Sequence, residues 1–332
     1  MSEQYQYDHI NETRVPALDI ATYICLPAAF IAVIFRILSR RISEVPLKAD
    51  DWWIFVGLLF TTASVGLDIV LTGLGLGRHA VLLEHPVFFA KLVLAKASLY
   101  NPAIFAIKIS ILLLYRRIFV TNCINRSFNI SLWCTGGFVY MYCFVQAILT
   151  VFHCKPVNML WDPTVKGTCI NYDDVLITMA SLNIGTDVLI LCLPLPQLWR
   201  LQLPASTKRH LVGIFLLVCI ASIIRAAYVG QISLTDPSWS DALGAMWTVV
   251  ELSLGVVSAC LPTLRPLVVR TFKSRTATYG ISRESRLEDQ DGSRMLHRID
   301  SATKGSPQRN GFVNDFRPLD AYASMPSDEG LF

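Results

Sequence analysis

The stretch Lys96–Phe119 (KASLYNPAIFAIKISILLLYRRIF) is long and mostly apolar, yet it contains two lysines, Lys96 and Lys108. This combination constrains the fold of the whole chain. About 20 such residues cross the hydrocarbon core of a bilayer as a helix. Asn101, Lys108 and Tyr115 recur at seven-residue spacing, so a helix places them on one face. Lipid tails offer no hydrogen-bond partners to polar side chains. This face must therefore contact other helices or a water-filled cavity. The stretch predicts a helix inside a membrane bundle.

The rest of the chain repeats the apolar pattern. Hydrophobic residues make up 53% of the 332 positions and charged residues only 16%, and the mean hydropathy is +0.47, which is typical of membrane proteins. The apolar residues fall into seven predicted spans: Ala17–Ser39, Trp52–Leu74, Leu92–Tyr115, Phe128–Phe152, Val175–Leu198, Leu211–Ser233 and Ala242–Val268. We therefore predict an all-α seven-helix membrane bundle over residues 17–268, in contact with the lipid bilayer, preceded by a short extracellular segment, 1–16.

The distribution of basic residues predicts the orientation of the bundle. Fourteen Lys and Arg side chains flank the spans on one side, among them Arg36, Arg40, Arg41 and Arg117, against five on the other. Cytosolic loops carry the excess of Lys and Arg. The N-terminus is thus expected outside and the C-terminus in the cytosol. An odd number of spans agrees with this, because it places the two ends on opposite sides of the membrane. The net charge of +4 is modest, and its basic residues lie beside the spans, so nucleic-acid binding is not expected.

The polar N-terminal segment lacks the basic start of a signal peptide, and we expect the first span to direct insertion itself. Asn11-Glu12-Thr13 is a glycosylation sequon on the predicted exterior side. Residues 269–332 are rich in Ser, Arg, Asp and Gly and are predicted to form a disordered cytosolic tail. Inner loops and tail are the predicted docking region for a cytosolic signalling partner.

Two of the nine cysteines, Cys154 and Cys169, lie in a predicted exterior loop. The oxidising exterior favours a disulfide between them, which would hold this loop over the mouth of the bundle. Six others lie inside spans, where a cysteine is usually a small buried apolar residue. Neither a CxxC pair nor a Cys/His spacing suited to zinc occurs, and no metal site is predicted.

Polar and charged side chains within spans are the candidate site. They are Asp68, Lys96, Asn101, Lys108, Asn183, Asp187, Arg225 and Glu251. An unpaired charge at the centre of a span costs about 2.5 to 3.5 kcal/mol on insertion scales. We therefore expect Asp68 to pair with Lys96, and either Asp187 or Glu251 to pair with Arg225. Two interpretations are open: a network that only holds helices in register, or one that lines a ligand pocket or proton path in the outer half of the bundle.

Several motifs in order resemble the fungal rhodopsin-like integral membrane family of the satratoxin-cluster type, which is related to seven-helix receptors linked to fungal pathogenicity. They include Ala49-Asp50-Asp51-Trp52-Trp53, Gly75-Leu76-Gly77-Arg78-His79, KISILLLYRRIF at Lys108–Phe119, Cys154-Lys155-Pro156 with Trp161 and Cys169, NIGTDVLILCLPLPQLWRL at Asn183–Leu201, Ile224-Arg225, Glu251, and ACLPTLRPL at Ala259–Leu267. The resemblance covers about Ile20–Val268. It implies a seven-helix plasma-membrane protein of a filamentous fungus.

The rhodopsin label does not imply retinal in this chain. Retinal proteins form a Schiff base with a lysine in the seventh span, and the predicted span Ala242–Val268 contains no lysine. Its central ionisable residue is Glu251. We predict no retinal and no other cofactor.

Three function classes stay open. The first is a receptor or sensor for an unidentified small molecule or metabolite; Tyr115-Arg116-Arg117 is similar to the ionic triplet of G-protein-coupled receptors, although basic residues are common at cytosolic helix ends. The second is a membrane enzyme or accessory protein of secondary metabolism, with Asp68, Asp187 or Glu251 as acid catalyst. The third is a small-solute transporter, for which the internal repeat of such carriers is not evident.

Overall fold

The computed structural model describes residues 13–79, 81, 83–120, 126–161, 165–196, 205–230, 236 and 238–264. Predicted features at Asn11 and in the tail 269–332 lie outside these residues. Among the described residues, seven helices are long and apolar enough to cross a membrane. They are α1 Val15–Ile42, α2 Ala49–Leu74, α3 Pro86–Tyr115, α4 Arg126–Phe152, α5 Tyr172–Cys192, α6 Ala205–Val229 and α7 Ser238–Leu264.

The helices follow the predicted spans, with differences at their ends. Helix α5 ends at Cys192 and not at Leu198, because Pro194 has no N–H to continue the ladder and restricts the residue before it. Helix α2 begins at Ala49 and not at Trp52, so it includes Asp50 and Asp51, whose buried partners are described below. A short π-helical turn, Arg116–Val120, follows α3.

Helices α3 and α7 are the most buried of the seven and form the centre of the bundle. The outward faces of the peripheral helices are apolar and exposed, as Ile24, Leu59 and Phe144 illustrate. A contiguous apolar exterior of this kind is expected against lipid and would be a liability in water. The apolar exterior agrees with a protein embedded in the bilayer.

Ile107 of α3 packs closely between two neighbouring helices. A Cβ atom built on Gly57 of α2 would lie 3.0 Å from Ile107 Cγ1, and one on Gly255 of α7 would lie 3.1 Å from Ile107 Cγ2. Glycine at both positions lets the backbones approach, as small residues do at membrane helix interfaces. The two glycines therefore set the spacing of α2, α3 and α7.

We expect Gly57→Ala to destabilise the protein by about 1–3 kcal/mol, because the added methyl overpacks the contact with Ile107. Gly66→Ala in the same helix is the matched control, since its Cβ would meet nothing within 4 Å, and alanine is the better helix former. Unfolding midpoints of the purified variants in detergent measure the difference. Equal midpoints for the two variants would contradict the close packing.

One end of the bundle carries the loop between α4 and α5. Strands β1 (Cys154–Lys155) and β2 (Thr168–Cys169) pair antiparallel, and Cys154 and Cys169 form the predicted disulfide. Ile170 N–H also donates a hydrogen bond to the carbonyl of His153 at 2.9 Å. We name this end of the bundle the disulfide end, and the opposite end, where Arg36 and Arg40 lie, the arginine end.

Removing the disulfide with Cys154→Ser should cost about 3 kcal/mol of stability, the chain-entropy value for a loop of this length. Maleimide labelling of the denatured wild-type protein should reach Cys154 and Cys169 only after reduction. Cys134, a free and exposed cysteine of α4, is the internal control for labelling without reductant. Labelling of Cys154 in the unreduced protein would show that the bond does not form.

The disulfide end is also fastened on the side of α1, α2 and α7. Arg14 N–H donates to the carbonyl of Gly77 at 3.0 Å, and Gly77 N–H donates to that of Ser238 at 3.0 Å. Gly77 has a φ of +86°, and a Cβ there would lie 3.1 Å from Val15 N, so only glycine fits without strain. His79 stacks on Trp239 with ring centroids 4.6 Å apart.

Candidate functional site

Five of the eight predicted site residues meet in one buried network between α3, α5, α6 and α7. Its first half surrounds Lys108, whose Nζ lies 2.9 Å from Asp187 Oδ1. The same ammonium donates to Asn183 Oδ1 at 2.8 Å and to Thr186 Oγ1 at 2.6 Å. Lys108 thus has partners for its charge and its protons, as a cation in a helix bundle requires.

The second half of this network surrounds Glu251, which is completely buried. Arg225 Nε lies 2.6 Å from Glu251 Oε2, and Asn183 Nδ2 donates to Oε1 at 2.7 Å. Tyr100 donates its hydroxyl to Oε2 at 3.2 Å. Of the two predicted partners for Arg225, the structure places Glu251 beside it.

Ser222 joins the two halves. Its Oγ lies 2.7 Å from Asp187 Oδ2 and 2.7 Å from Glu251 Oε1. The single hydroxyl proton can serve one carboxylate at a time, so Ser222 connects the two acids as alternative acceptors. Lys108, Asn183, Asp187, Arg225 and Glu251, with Ser222 and Thr186, are named the central network below.

The other three predicted residues lie nearer the disulfide end. Lys96 Nζ is 2.6 Å from Asp68 Oδ1, so the predicted pair between α2 and α3 forms. Asn101 stands apart from both ion pairs and donates from Nδ2 to Thr150 Oγ1 of α4 at 3.1 Å.

A cavity of about 280 Å³ opens between α3 and α7 at the disulfide end. Its volume is near the lower limit of small-molecule sites. It is lined by Phe89, Val93, Lys96, Ala97, Tyr100, Asn101, Gln146, Thr150, Leu176, Arg225, Val229, Asp241, Gly244, Ala245 and Thr248. Lys96, Asn101 and Arg225 are therefore the predicted site residues that line this cavity directly.

The three candidate acid catalysts do not line the 280 Å³ cavity in the part of the chain that the structure describes. Asp187 and Glu251 instead face a space of only about 20 Å³, together with Lys108 and Phe215. Such a volume holds about one water molecule. An organic substrate thus reaches Arg225 and Lys96 before it reaches any of these carboxylates.

A second buried network at the arginine end was not predicted as a site. Arg36, only 1% exposed, lies with Nη2 2.8 Å from Asp50 Oδ2 and with Nε 2.7 Å from Asp51 Oδ1. Arg40 Nη2 is 2.8 Å from Asp50 Oδ2, and Arg117 Nη1 is 3.1 Å from Asp50 Oδ1. These five residues are named the arginine cluster below.

The arginine cluster ties the ends of four helices together. Arg36 Nη1 donates to the carbonyl of Ala259 in α7 at 2.6 Å, and Ser110 Oγ of α3 donates to the carbonyl of Asp50 at 2.7 Å. Ser39 of α1 donates to the carbonyl of Thr263 at 2.5 Å. Helices α3 and α7 therefore contact both the arginine cluster and the central network.

The count of basic residues used Arg36, Arg40 and Arg117 only to predict the orientation of the bundle, and the burial of Arg36 against two aspartates was not predicted. The available signal was the four-residue spacing of Arg36 and Arg40, which places both on one face of α1, together with the Asp50-Asp51 pair before the second span. Proximity of α1 and α2 in sequence would have suggested the pairing. Among the described residues, no group of His, Cys, Asp and Glu could hold a metal ion.

Comparison with known proteins identifies the family. The profile of the Fungal rhodopsin domain family matches residues 35–270, which is most of the chain. This protein belongs to the fungal rhodopsin domain family, a family of multi-pass membrane proteins. No solved structure matches the chain significantly.

Three relatives illustrate what the chain is similar to. A SAT4 family membrane protein of Emericella nidulans is 30% identical over 72% of this chain and 63% of its own length. Satratoxin biosynthesis SC1 cluster protein 4 of Stachybotrys chartarum is 30% identical over 49% of this chain and 59% of its own length. Receptor GIN3 of Arthrobotrys oligospora is 25% identical over 79% of this chain and 66% of its own length. The chain thus spans less than two thirds of the first of these relatives.

Proposed function

We propose that this protein is a receptor or sensor that binds a small molecule in the cavity at the disulfide end and passes the change to the arginine end. The disulfide end faces the exterior in this proposal, and the arginine end faces the cytosol, where a signalling partner would dock. The excess of basic residues at the arginine end and the disulfide at the other end support this orientation. The plasma membrane is the proposed location.

The observation that carries the proposal is the contact between the cavity and the central network. Arg225 lines the cavity and is also the ion-pair partner of Glu251. A ligand that displaces the Arg225 side chain from its position in the lining would weaken this pair and change the hydrogen bonds that Glu251 shares with Asn183 and Ser222. The binding site therefore includes a residue whose partner belongs to the central network.

The second support is the path to the arginine end. Helix α7 carries Glu251 in the central network and, two turns later, the carbonyl of Ala259 that accepts from Arg36. Helix α3 carries Lys108 in the central network and Ser110 in contact with Asp50. A shift of either helix would be transmitted directly to the arginine cluster, which is the physical requirement for coupling two sites.

The enzyme alternative has less support. Two relatives are named as proteins of the satratoxin and polyenoic acid biosynthesis clusters, but those names state no reaction. Asp187 and Glu251 face a space of only about 20 Å³, and Asp68 is not among the described residues that line the 280 Å³ cavity. Receptor GIN3 is a relative whose name agrees with the proposed function.

Matched fungal strains test the proposal: a deletion strain, a strain with Ala97→Phe, which fills the cavity, and a strain with Ala63→Phe. Ala97 lines the cavity, whereas Ala63 is exposed on α2, so the second variant controls for added volume. Transcripts after transfer to conditioned medium and metabolite extracts are compared at equal membrane abundance of the variants.

The proposal expects the deletion and Ala97→Phe strains to share an altered transcript response, with metabolite extracts that contain no new intermediate. The Ala63→Phe strain should behave as wild type. A defined biosynthetic intermediate that accumulates in the deletion strain, with an unchanged transcript response, would contradict the receptor proposal and favour the enzyme.

A further inference from the structure

We infer that the cavity binds an uncharged, largely apolar molecule that donates a hydrogen bond, such as an aliphatic alcohol, to the side-chain oxygen of Asn101. This inference rests on the proposed function, because it names the chemistry of the ligand that the receptor would bind. It is carried by three features of the cavity: an amide oxygen without a donor, cations that are already paired, and apolar walls.

The hydrogen bonds around Asn101 fix the orientation of its amide. Thr150 Oγ1 donates its proton to the carbonyl of Gln146 at 2.8 Å, so the same oxygen can only accept from Asn101. Asn101 must therefore point its NH₂ group at Thr150, at 3.1 Å, and its Oδ1 away from Thr150. The assignment of oxygen and nitrogen follows from the network.

Asn101 Oδ1 is buried and has no hydrogen-bond donor within the part of the chain that the structure describes. The side chain is 3% exposed and lines the cavity. Gln146 also lines the cavity, and its buried Oε1 likewise has no hydrogen-bond donor among the described residues. A buried acceptor without a donor carries a desolvation cost, which a ligand hydroxyl would remove.

The charges of the cavity wall disfavour an anionic ligand. Lys96 is paired with Asp68, Arg225 is paired with Glu251, and Asp241 adds a carboxylate to the lining. A ligand carboxylate would therefore find both cations of the described lining already paired. It would have to separate an existing ion pair to obtain a cation, at a cost in a low-dielectric site.

The apolar part of the wall favours a hydrocarbon body over a small polar solute. The apolar lining residues include Phe89, Val93, Leu176, Val229 and Ala245. Burial of hydrocarbon against such residues supplies most of the binding energy in pockets of this kind, while a few polar groups fix orientation. The cavity thus has the pattern expected for an amphiphile with one donor group.

Competition photolabelling of the full chain in lipid nanodiscs tests this inference. A diazirine derivative of decanol is the probe, and adducts are mapped by mass spectrometry to peptides of α3, α4 and α7. Decanol, decyl methyl ether, decanoate and decylamine are the competitors, compared at equal concentrations in the membrane. The ether keeps the apolar body and lacks the donor, whereas the other two carry a charge.

We expect decanol to compete about fivefold better than the ether, the value of one modest hydrogen bond, and better than either charged compound. Asn101→Leu should bring the ratio of decanol to ether close to one. Gln146→Leu, at a half-buried position, should also lower the ratio of decanol to ether. It replaces Asn101→Leu as the test variant if Asn101→Leu does not fold. Asn129→Leu is the matched control: Asn129 also has a buried amide oxygen without a donor among the described residues, but it does not line the cavity.

Three results would overturn the inference. Equal competition by decanol and the ether in the wild type would show that the donor is irrelevant, while cavity adducts would leave the proposed ligand site standing. Stronger competition by decanoate or decylamine would show that charge selects the ligand, again without affecting the proposed function. Adducts found only outside the cavity-lining peptides would contradict both the inference and the ligand site of the proposed receptor.

Discussion

Arg36→Met should leave little folded protein. The side chain is almost completely buried and is paired with Asp50 and Asp51, so its loss leaves two buried carboxylates with Arg40 and Arg117 as their cationic partners among the described residues. Removing one partner of a buried ionic group typically costs about 3–5 kcal/mol, which is a large part of the stability of a domain. The yield of monodisperse protein on size exclusion and the unfolding midpoint in detergent measure the effect.

Arg41→Met is the matched control for this prediction. Arg41 lies in the last turn of the same helix, α1, and is exposed, so the same change in charge and volume should have little effect. Arg36→Met combined with Asp50→Asn and Asp51→Asn should recover part of the loss, since the uncompensated charge is removed. A stable Arg36→Met protein would show that the arginine cluster contributes little to folding.

Glu251→Gln is the second substitution with a large expected effect. It removes the negative charge that Arg225 faces at 2.6 Å, and it replaces an acceptor of three hydrogen-bond donors with an amide. We expect a loss of about 3 kcal/mol, in the range for a broken buried ion pair. Unfolding by titration with a denaturing detergent measures the free energy of each variant.

A double-mutant cycle separates the ion pair from general damage. Arg225→Gln alone should also destabilise the protein, and the double variant should lose less than the sum of the two, with a coupling energy of about 1–3 kcal/mol. Glu84→Gln is the control, because Glu84 is exposed between α2 and α3. Additive effects of Glu251→Gln and Arg225→Gln would contradict a direct pair.

The seven spans and the charged candidate residues within them could be predicted from sequence for one physical reason. A bilayer penalises every charge that enters a helix, so Lys96, Lys108, Asp187 and Glu251 stand out against their apolar neighbours. The same penalty requires such charges to find partners inside the bundle. The disulfide could be predicted because Cys154 and Cys169 are the two cysteines in the predicted exterior loop, where the environment is oxidising.

Partner assignment was less predictable, because it depends on the rotation of each helix. Depth along the spans favoured Asp68 with Lys96, which the structure contains, but left Asp187 and Glu251 equivalent for Arg225. In the structure the rotation of the helices brings Glu251 to Arg225 and Asp187 to Lys108. The spacing of polar residues along one helix shows which of them share a face, but it does not give their distances to side chains of other helices.

The arginine cluster was missed because its members lie at helix ends. A basic residue near a cytosolic helix end is expected from topology alone, so the spacing of Arg36 and Arg40 was not interpreted as a signal for burial. Its burial depends on α2 beginning at Ala49, which places Asp50 and Asp51 against α1 within the bundle. The consequence is a second ionic network that shares α3 and α7 with the first.

Coupling between the cavity and the arginine end is the central claim, and hydrogen–deuterium exchange tests it most directly. The amides of Ser43, Glu44 and Val45 donate to the carbonyls of Ser39, Arg41 and Arg40 beside the arginine cluster. Exchange of this segment is compared in wild type, Ala97→Phe and Ala63→Phe. We predict a change of about fivefold or more in Ala97→Phe, the lower limit of typical allosteric coupling, and none in Ala63→Phe. Unchanged exchange in a folded Ala97→Phe protein would contradict the account.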